Sequence, residues 1–315
     1  MAKIDIEKPR WDQSTYSGRA RHFFAATNPL NLLATSSDLE NARIIVANHR
    51  NGVEQVLSED ELWRAKYLYD GAFHPDTGEK MFLPGRMSAQ VPVNMFITGM
   101  MMTYYKRRSR IIFWQWFNQS FNALVNYTNR SGSSTVPLST LAMSYVVATT
   151  AALLTALKLN SMVKSLSPLA GRLVPFASVV AANCINVPLM RVTEIRDGIE
   201  LRDGDGKLVG RSRRFAIVAI YSVAASRILM AAPSMLSSPL LMNYLDKRGA
   251  LRRHPRYAAP LQVLWCGICL TFATPLACAL FSQRASVPVG YLGEKVEREV
   301  RRNTNSDIVY YNKGL

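Results

Sequence analysis

The sequence predicts an all-α, polytopic membrane protein with about five transmembrane helices, an amphipathic helix and a small soluble N-terminal helical region. Hydrophobic residues make up 49% of the 315-residue chain, yet it also holds 38 Lys or Arg and 22 Asp or Glu residues. The charge must therefore be confined to some stretches. Five apolar runs approach or reach the roughly 20 residues that a helix needs to cross a bilayer. They occupy about 87–104, 138–157, 173–190, 215–236 and 259–281, within a predicted membrane domain over 87–281.

Soluble segments flank the predicted membrane domain. Residues 1–86 have mixed charge, and Ser37 is expected to cap a helix there. A second helix is expected to begin at Ser58, because Ser58 and Glu61 have the spacing of a capping box. Residues 282–315 are expected to form a C-terminal tail.

The basic charge of the chain indicates its partners. The net charge is +16, which suits nucleic acid, anionic lipid or an acidic small molecule. Because the Lys and Arg residues lie beside apolar runs, membrane lipid is the predicted partner and nucleic acid is not. Asp5, Glu7 and Asp12 argue against a cleaved mitochondrial presequence, since such peptides are poor in acids. Any organelle address is therefore expected inside the chain.

No metal, cofactor or catalytic group is predicted. The four cysteines all lie in apolar runs, and Cys266-x-x-Cys269 has no second Cys or His pair beside it, so buried thiols are the simpler interpretation. His74–Lys80 contains possible ligands but is typical of a turn. Alternation around Asp203–Gly206 predicts a tight hairpin turn rather than a calcium loop. No nucleophile and base occur together in a catalytic pattern, so an enzyme is not predicted.

The segment 111–129 carries a row of side-chain amides. On a helix, at about 100° per residue, they fall within one stripe and the large aromatic residues face away from it. The stripe consists of Gln115, Asn118, Gln119, Asn122, Asn126 and Asn129. Amides both donate and accept hydrogen bonds, so they can hold a zwitterion or a hydroxyl group without a fixed charge. The pattern fits a cavity-lining helix, an interfacial helix or a re-entrant element.

Two further polar features fall inside the apolar runs. Asn183 and Asn186 share a helix face between Pro175 and Pro188, and prolines near both ends predict an interrupted span like those that bind substrates in transporters. The alternative is that the two amides join neighbouring helices by hydrogen bonds. Arg227 is the only charged residue within its run. It would either bind a carboxylate or extend toward one end of the helix.

Several long strings resemble those of the sideroflexins, a family of carriers of the inner mitochondrial membrane. The resemblance covers nearly the whole chain. Its strings are PRWDQSTYSGR, HPDTGEK, PGRMSAQVPVNM, FWQWFNQSFNALVNYTNRSG, VPFASVVAANCINVPLMR, SRILMAAPSML and TPLACALF. It implies about five transmembrane helices, internal targeting, and transport of small neutral amino acids.

The resemblance also implies candidate substrates. Serine, which feeds mitochondrial one-carbon metabolism, is associated with the best-known members, and alanine and cysteine are further candidates. Other members are linked to iron or haem homeostasis, to citrate, or to respiratory-complex assembly, so a tricarboxylate carrier and a non-transporting scaffold remain alternatives. The intact HPDTGEK string favours the transporting branch, and the mostly neutral intramembrane groups favour serine over citrate.

The predicted substrate-binding site combines the amide clusters with polar residues of the first and fourth spans. Its eight residues are Gln90, Asn94, Asn118, Asn122, Asn126, Asn183, Asn186 and Arg227. The three asparagines of the amphipathic helix would form one wall of a polar cavity, and the two of the interrupted third span the other. The arginine would pair with the substrate carboxylate, and the first-span residues would lie near the entrance.

Overall fold

The chain folds mostly into helices, as the sequence predicts. A computed structural model describes residues 4–75, 77–129, 138–162, 171 and 173–313. The α-helices in chain order are α1 (Tyr16–Ala26), α2 (Ser36–Arg50), α3 (Glu59–Ala72), α4 (Gln90–Thr103), α5 (Arg108–Thr128), α6 (Leu138–Met162), α7 (Val174–Met190), α8 (Val192–Asp197), α9 (Arg213–Lys247), α10 (Ala250–Arg253), α11 (Ala258–Cys278) and α12 (Glu294–Asn303). Short 3-10 turns occupy Pro29–Leu33, Leu83–Gly85, Met87–Ala89, Pro255–Tyr257 and Val289–Tyr291.

Side-chain caps fix the starts of α2 and α3. At α2, the Thr35 hydroxyl accepts from the Asp38 N–H at 3.2 Å, and the Asp38 carboxylate accepts from the Thr35 N–H at 2.8 Å. Thr35 is therefore the cap, and the expectation that Ser37 would serve is wrong by two residues. At α3 the predicted cap is confirmed, because Ser58 and Glu61 make the reciprocal pair of a capping box.

The segment after α3 forms the predicted turn. The His74 N–H donates to the Glu79 carbonyl at 2.8 Å, and Phe73 and Lys80 pair as an isolated β-bridge. Gly78 has a φ of 67°, a backbone conformation that residues with a Cβ rarely adopt. Asp76, one of the possible ligands in this segment, lies outside the described residues.

A four-stranded antiparallel sheet is also present, so the prediction of an all-α fold is wrong in this part. Its strands are β1 (Ile199–Arg202), β2 (Leu208–Ser212), β3 (Arg284–Pro288) and β4 (Ile308–Asn312), in the spatial order β2-β1-β4-β3. The predicted hairpin turn joins β1 to β2, and the Asp203 carboxylate accepts from the N–H groups of Asp205 and Lys207. Each strand has only four or five residues, which is a weak alternation signal in a sequence.

The sheet has its own hydrophobic core. The segment 282–315, expected to be a tail, contributes β3, α12 and β4 to it. The largest fully buried side chains of this core are Leu201, Val209, Val289, Val300 and Val309. The first turns of α9 join the same core through Ala216 and Ala219, both 0% exposed. The sheet therefore holds one end of α9.

Two helical stretches are long and apolar enough to cross a membrane among the residues that the structure describes. They are Arg213–Lys247 and Pro255–Cys278, and Val174–Met190 is a shorter apolar helix. The expected number of about five spans stays a prediction. Helices α4 and α11 lie close together. Gly99 allows this packing, since a Cβ there would lie only 2.6 Å from a Val263 methyl group.

The third apolar run forms one continuous helix, α7, so the expectation of an interrupted span is wrong. Pro175 lies in the first turn, where a helix has no use for the missing N–H. Pro188 lies in the last turn, where its ring removes only the hydrogen bond that the Cys184 carbonyl would accept. Prolines so close to the two ends do not break the helix.

Truncating a core residue of the sheet tests its packing. Leu201→Ala should lower the free energy of unfolding by about 2–5 kcal/mol, because the side chain is 0% exposed and truncation leaves a cavity. Leu208→Ala, 44% exposed on the neighbouring strand, should change it by no more than about 0.5 kcal/mol. Hydrogen exchange of the purified protein would show faster exchange across β1, β2 and β4 in the first variant only. Equal exchange in both variants would contradict this core.

His22 should make the N-terminal region sensitive to pH. Burial lowers the pKa of His22 below its ordinary value of 6.5, and the charge of Asp70 opposes this effect. Its Nδ1 atom is buried without a hydrogen-bond partner among the described residues. The folded state thus binds the proton less tightly than the unfolded chain, so stability that is present above pH 6.5 is lost as the pH falls below it.

We therefore expect residues 4–75 to become more susceptible to protease between about pH 7 and pH 5, because protonation of His22 favours the unfolded chain. His22→Gln should remove most of this dependence. His254→Gln, in an exposed turn, is the matched control and should keep it. A wild-type profile that persists in His22→Gln would show that another group is responsible.

Candidate functional site

The amide stripe of α5 faces the protein interior. Gln115 and Gln119 are 3% and 4% exposed, whereas Phe113 and Trp116 are 48% and 45% exposed. These two amides line cavities shared with α6 and α7, and Phe113 and Trp116 point outward, as the helical periodicity predicts. An inward polar face of this kind can line a cavity. Phe121, expected on the outward face, is instead 6% exposed and packs with Ile97 and Met101.

A small polar cavity lies where α5, α6 and α7 meet. Its lining residues are Gln119, Ala123, Asn126, Tyr145, Ala148, Asn186 and Met190. Its volume is about 260 Å³ including the mouth, and the free space inside admits about one water molecule. The C-terminal halves of α5 and α7 meet the N-terminal half of α6 here, so α6 runs antiparallel to both.

Asn126 links this cavity to the arginine of α9. An Nη atom of Arg227 donates to Asn126 Oδ1 at 3.2 Å, and Asn126 Nδ2 lies 3.2 Å from the thioether sulfur of Met190. A thioether is a weak acceptor, so the amide is held loosely on that side. Arg227 therefore lies directly behind the cavity wall and is fixed there by a neutral partner.

The electrostatics of the cavity are set by two arginines. Arg191, which follows α7, lies near enough to Arg227 to repel it. The charge of Arg191 is offset by an ion pair with Glu194, and its guanidinium also donates to the Lys313 carbonyl. Arg227 has no carboxylate partner among the described residues. This region thus carries an unbalanced positive charge, which favours a ligand with a carboxylate.

The structure brings three of the eight predicted residues together, namely Asn126, Asn186 and Arg227. Asn186 is 7% exposed and lines the cavity beside Asn126. Asn183, one turn earlier, donates instead to the Val179 carbonyl of its own helix at 3.0 Å. Of the predicted pair on α7, Asn186 therefore lines the cavity, whereas the amide of Asn183 is hydrogen-bonded within its own helix.

The remaining predicted residues lie away from this cavity. Asn118 and Asn122 are half-buried on α5 and are not among the described residues that line it. Asn94 donates to Gln90 Oε1 at 3.1 Å, so these two residues pair with each other on α4. Gln90 Nε2 is buried without a hydrogen-bond partner in the described part of the chain.

The site predicted from the sequence lacks five residues that line this cavity, namely Gln119, Ala123, Tyr145, Ala148 and Met190. Gln119 belongs to the predicted stripe but was not assigned to the site. Tyr145 lines the cavity from α6 and shares a hydrogen bond of 2.8 Å with Ser120. A phenol group in a run of otherwise small or apolar residues is a signal by which the sequence could indicate Tyr145 as a polar contact. Met190 carries no such signal, because a thioether in an apolar run resembles any core residue.

The cysteines do not form a metal site with other ligands in the described residues. No group of three His, Cys, Asp or Glu side chains there is close enough to hold a metal ion. Cys269 lies 3.6 Å from the Ser237 hydroxyl, which also accepts from the Trp265 indole at 2.9 Å. These contacts join α9 to α11. Of the four thiols only Cys266 is buried, Cys269 and Cys278 are half-buried and Cys184 is exposed, so the prediction of a buried thiol is wrong for Cys184.

Two apolar helices of membrane-spanning length and a polar cavity among three further helices define a candidate helical membrane protein. The family profile described as "Sideroflexins" matches residues 5–315, and the chain belongs to this family. Sideroflexin-1 of Sus scrofa is 56% identical over 315 residues, which cover 99% of this chain and 98% of the relative. Sideroflexin-3 of Mus musculus is 55% identical over 314 residues, with the same coverage. No solved structure matches the chain.

A double-mutant cycle tests the contact between α5 and α9. Asn126→Ala and Arg227→Met should couple by about 1 kcal/mol in the free energy of unfolding in detergent, because each removes the partner of the other. Asn183→Ala and Arg227→Met should be additive within about 0.5 kcal/mol. Additive effects in the first cycle would contradict the Arg227–Asn126 hydrogen bond.

Proposed function

We propose that this protein carries a small neutral amino acid, serine foremost, across the inner mitochondrial membrane. The observation that carries the proposal is the Arg227–Asn126 pair beside an amide-lined cavity. Membership of the sideroflexin family and two helices of membrane-spanning length support a multi-pass carrier of about five spans. The remaining spans would be α4, α6 and α7.

The charges of the cavity suit a zwitterion. The guanidinium of Arg227 would bind the substrate carboxylate, a charge-assisted contact stronger than the one to Asn126 that it replaces. The substrate ammonium group would donate to the amide oxygens of Asn126 and Asn186, and the Tyr145 hydroxyl could bind a serine hydroxyl. One unbalanced cation matches one carboxylate. Citrate, with three, would leave excess negative charge in the cavity.

Transport would require the three cavity helices to separate. The free space admits about one water molecule, so the described conformation is closed to an amino acid. The weak Asn126–Met190 contact between α5 and α7 is the first that a substrate could displace. Ala148, Ala152 and Ala156 form a buried face of small side chains on α6, along which the neighbouring helices can shift. Such alternating access involves binding and motion without covalent chemistry.

Uptake by the purified protein in liposomes tests the proposed function. Labelled serine should enter saturably, and unlabelled serine, alanine and cysteine should suppress its uptake, because the carboxylate and ammonium groups that the cavity binds are common to all three. Labelled citrate is offered in parallel. Uptake of citrate alone would replace the proposal with a tricarboxylate carrier. Absence of uptake by folded protein would make a non-transporting scaffold the leading explanation.

Asparagine variants test which amides bind the substrate. Asn126→Ala and Asn186→Ala should each raise the half-saturating serine concentration about tenfold, the factor that one charge-assisted hydrogen bond supplies. Asn183→Ala is the matched comparison, since this amide bonds within its own helix. Equal effects of all three variants would extend the site to Asn183. Parallel losses of protein abundance would indicate a structural role instead.

A further inference from the structure

A second cavity lies between α5, α6 and α7, at the opposite end of these three helices from the first cavity. Its polar and charged lining residues are Tyr105, Arg110, Gln115 and Ser178, and its apolar ones are Met101, Ile111, Trp114, Ala156, Val174 and Pro175. Its volume is about 280 Å³ including the mouth. Here the N-terminal halves of α5 and α7 meet the C-terminal half of α6, so the two cavities follow one another along the same three helices.

The inner wall of this second cavity holds an unsatisfied polar atom. Gln115 is 3% exposed, and its Oε1 atom is buried without a hydrogen-bond partner among the described residues. A buried acceptor that lacks a donor is costly, so a packed core would be expected to avoid it. At a binding site the same atom serves as a ready acceptor for a ligand donor.

The mouth of the cavity holds a single cation. Arg110 is exposed at the start of α5, and its guanidinium lies 4.4 Å from the centre of the Tyr104 ring. Stacking on a ring leaves the edge of a guanidinium and its N–H groups free to bind a carboxylate. Arg110 is the only charged residue among the described residues that line this cavity.

The spacing of the two cavities suits successive binding sites. Gln115 and Asn126 are eleven residues apart on α5, which corresponds to about 16 Å along the helix. Both cavities pair one arginine with neutral amides, and neither has a carboxylate in its described lining. Between them α6 carries Thr149, whose buried hydroxyl also lacks a hydrogen-bond partner among the described residues.

We propose that the Arg110–Gln115 cavity is a second binding site for a small zwitterionic amino acid, on the path to the Asn126–Arg227 cavity. The inference rests on the proposed transport function. The substrate carboxylate binds the Arg110 guanidinium at the mouth, and its ammonium group donates to Gln115 Oε1 within. The substrate then moves between α5, α6 and α7, past Thr149, to the Asn126–Arg227 cavity.

Variants of two buried glutamines, Gln115 and Gln262, test the proposed role of Gln115 inside the second cavity. Gln115→Met should raise the half-saturating serine concentration in liposome uptake about tenfold. Its melting temperature should be unchanged or higher, since the variant removes an unsatisfied acceptor. Gln262→Met is the matched control, because Gln262 is equally buried but donates to the Ser238 hydroxyl at 2.6 Å between α9 and α11. It should lower the melting temperature and leave the half-saturating concentration of the remaining folded protein unchanged.

Variants of two exposed arginines, Arg110 and Arg108, test the mouth of the second cavity. Substitutions of exposed side chains change stability little, so the variants should fold. Arg110→Gln should raise the half-saturating serine concentration, and Arg110→Lys should restore part of the affinity. Arg108→Gln, two residues earlier and outside the cavity, is the control for general surface charge. If wild-type protein takes up serine but both Gln115→Met and Arg110→Gln keep wild-type affinity, the second site is refuted and the proposed function stands. If wild-type protein takes up no amino acid, the proposed function itself fails.

Discussion

The hydrogen bond from Arg227 to Asn126 joins α9 to α5 beside the polar cavity. An arginine in the middle of an apolar helix needs a polar neighbour, and here the neighbour is an amide on another helix. Asn126 lies on the polar side of α5, on which Gln115 and Gln119 are buried, whereas Phe113 and Trp116 are exposed. Because an amide neutralises no charge, the cation stays available to a carboxylate. The same contact therefore joins two helices and, in the proposed function, supplies the group that binds the substrate.

The small sheet fixes the helices that carry this contact. α9 has 35 residues, or about 52 Å of helix, which exceeds the roughly 30 Å of a bilayer core. Its first turns are buried on the sheet, so Arg227 is held at a set distance from a rigid support. Arg191 ties the end of α7 to the chain after β4 through the Lys313 carbonyl. α7 and α9 are thus both connected to the part of the chain that forms the sheet.

The sequence predicts the helices well where a strong local signal exists. The amide stripe of α5 and the Ser58–Glu61 cap rest on side chains whose roles are set within one or two turns. Thr35–Asp38 and Ser37–Glu40 both have capping-box spacing, so the local pattern does not choose between them. The sheet joins a hairpin near residue 200 to strands more than 80 residues later, and such pairing has no local signature. Asn183 and Asn186 look equivalent in the sequence, and only the packing of α7 against α5 distinguishes them.

The most direct test of the account measures equilibrium binding of serine and of ethanolamine, which lacks the carboxylate, to purified wild-type protein and to protein that combines Arg110→Gln with Arg227→Gln. The account predicts that the wild type binds serine at least about tenfold more tightly than ethanolamine, since a carboxylate–guanidinium contact is worth that factor or more. In an Arg110→Gln background, which removes the second proposed carboxylate site, Arg227→Gln should abolish this preference and leave ethanolamine binding unchanged. An unchanged preference for serine in this double variant would contradict the account, because the carboxylate would then be recognised by neither arginine.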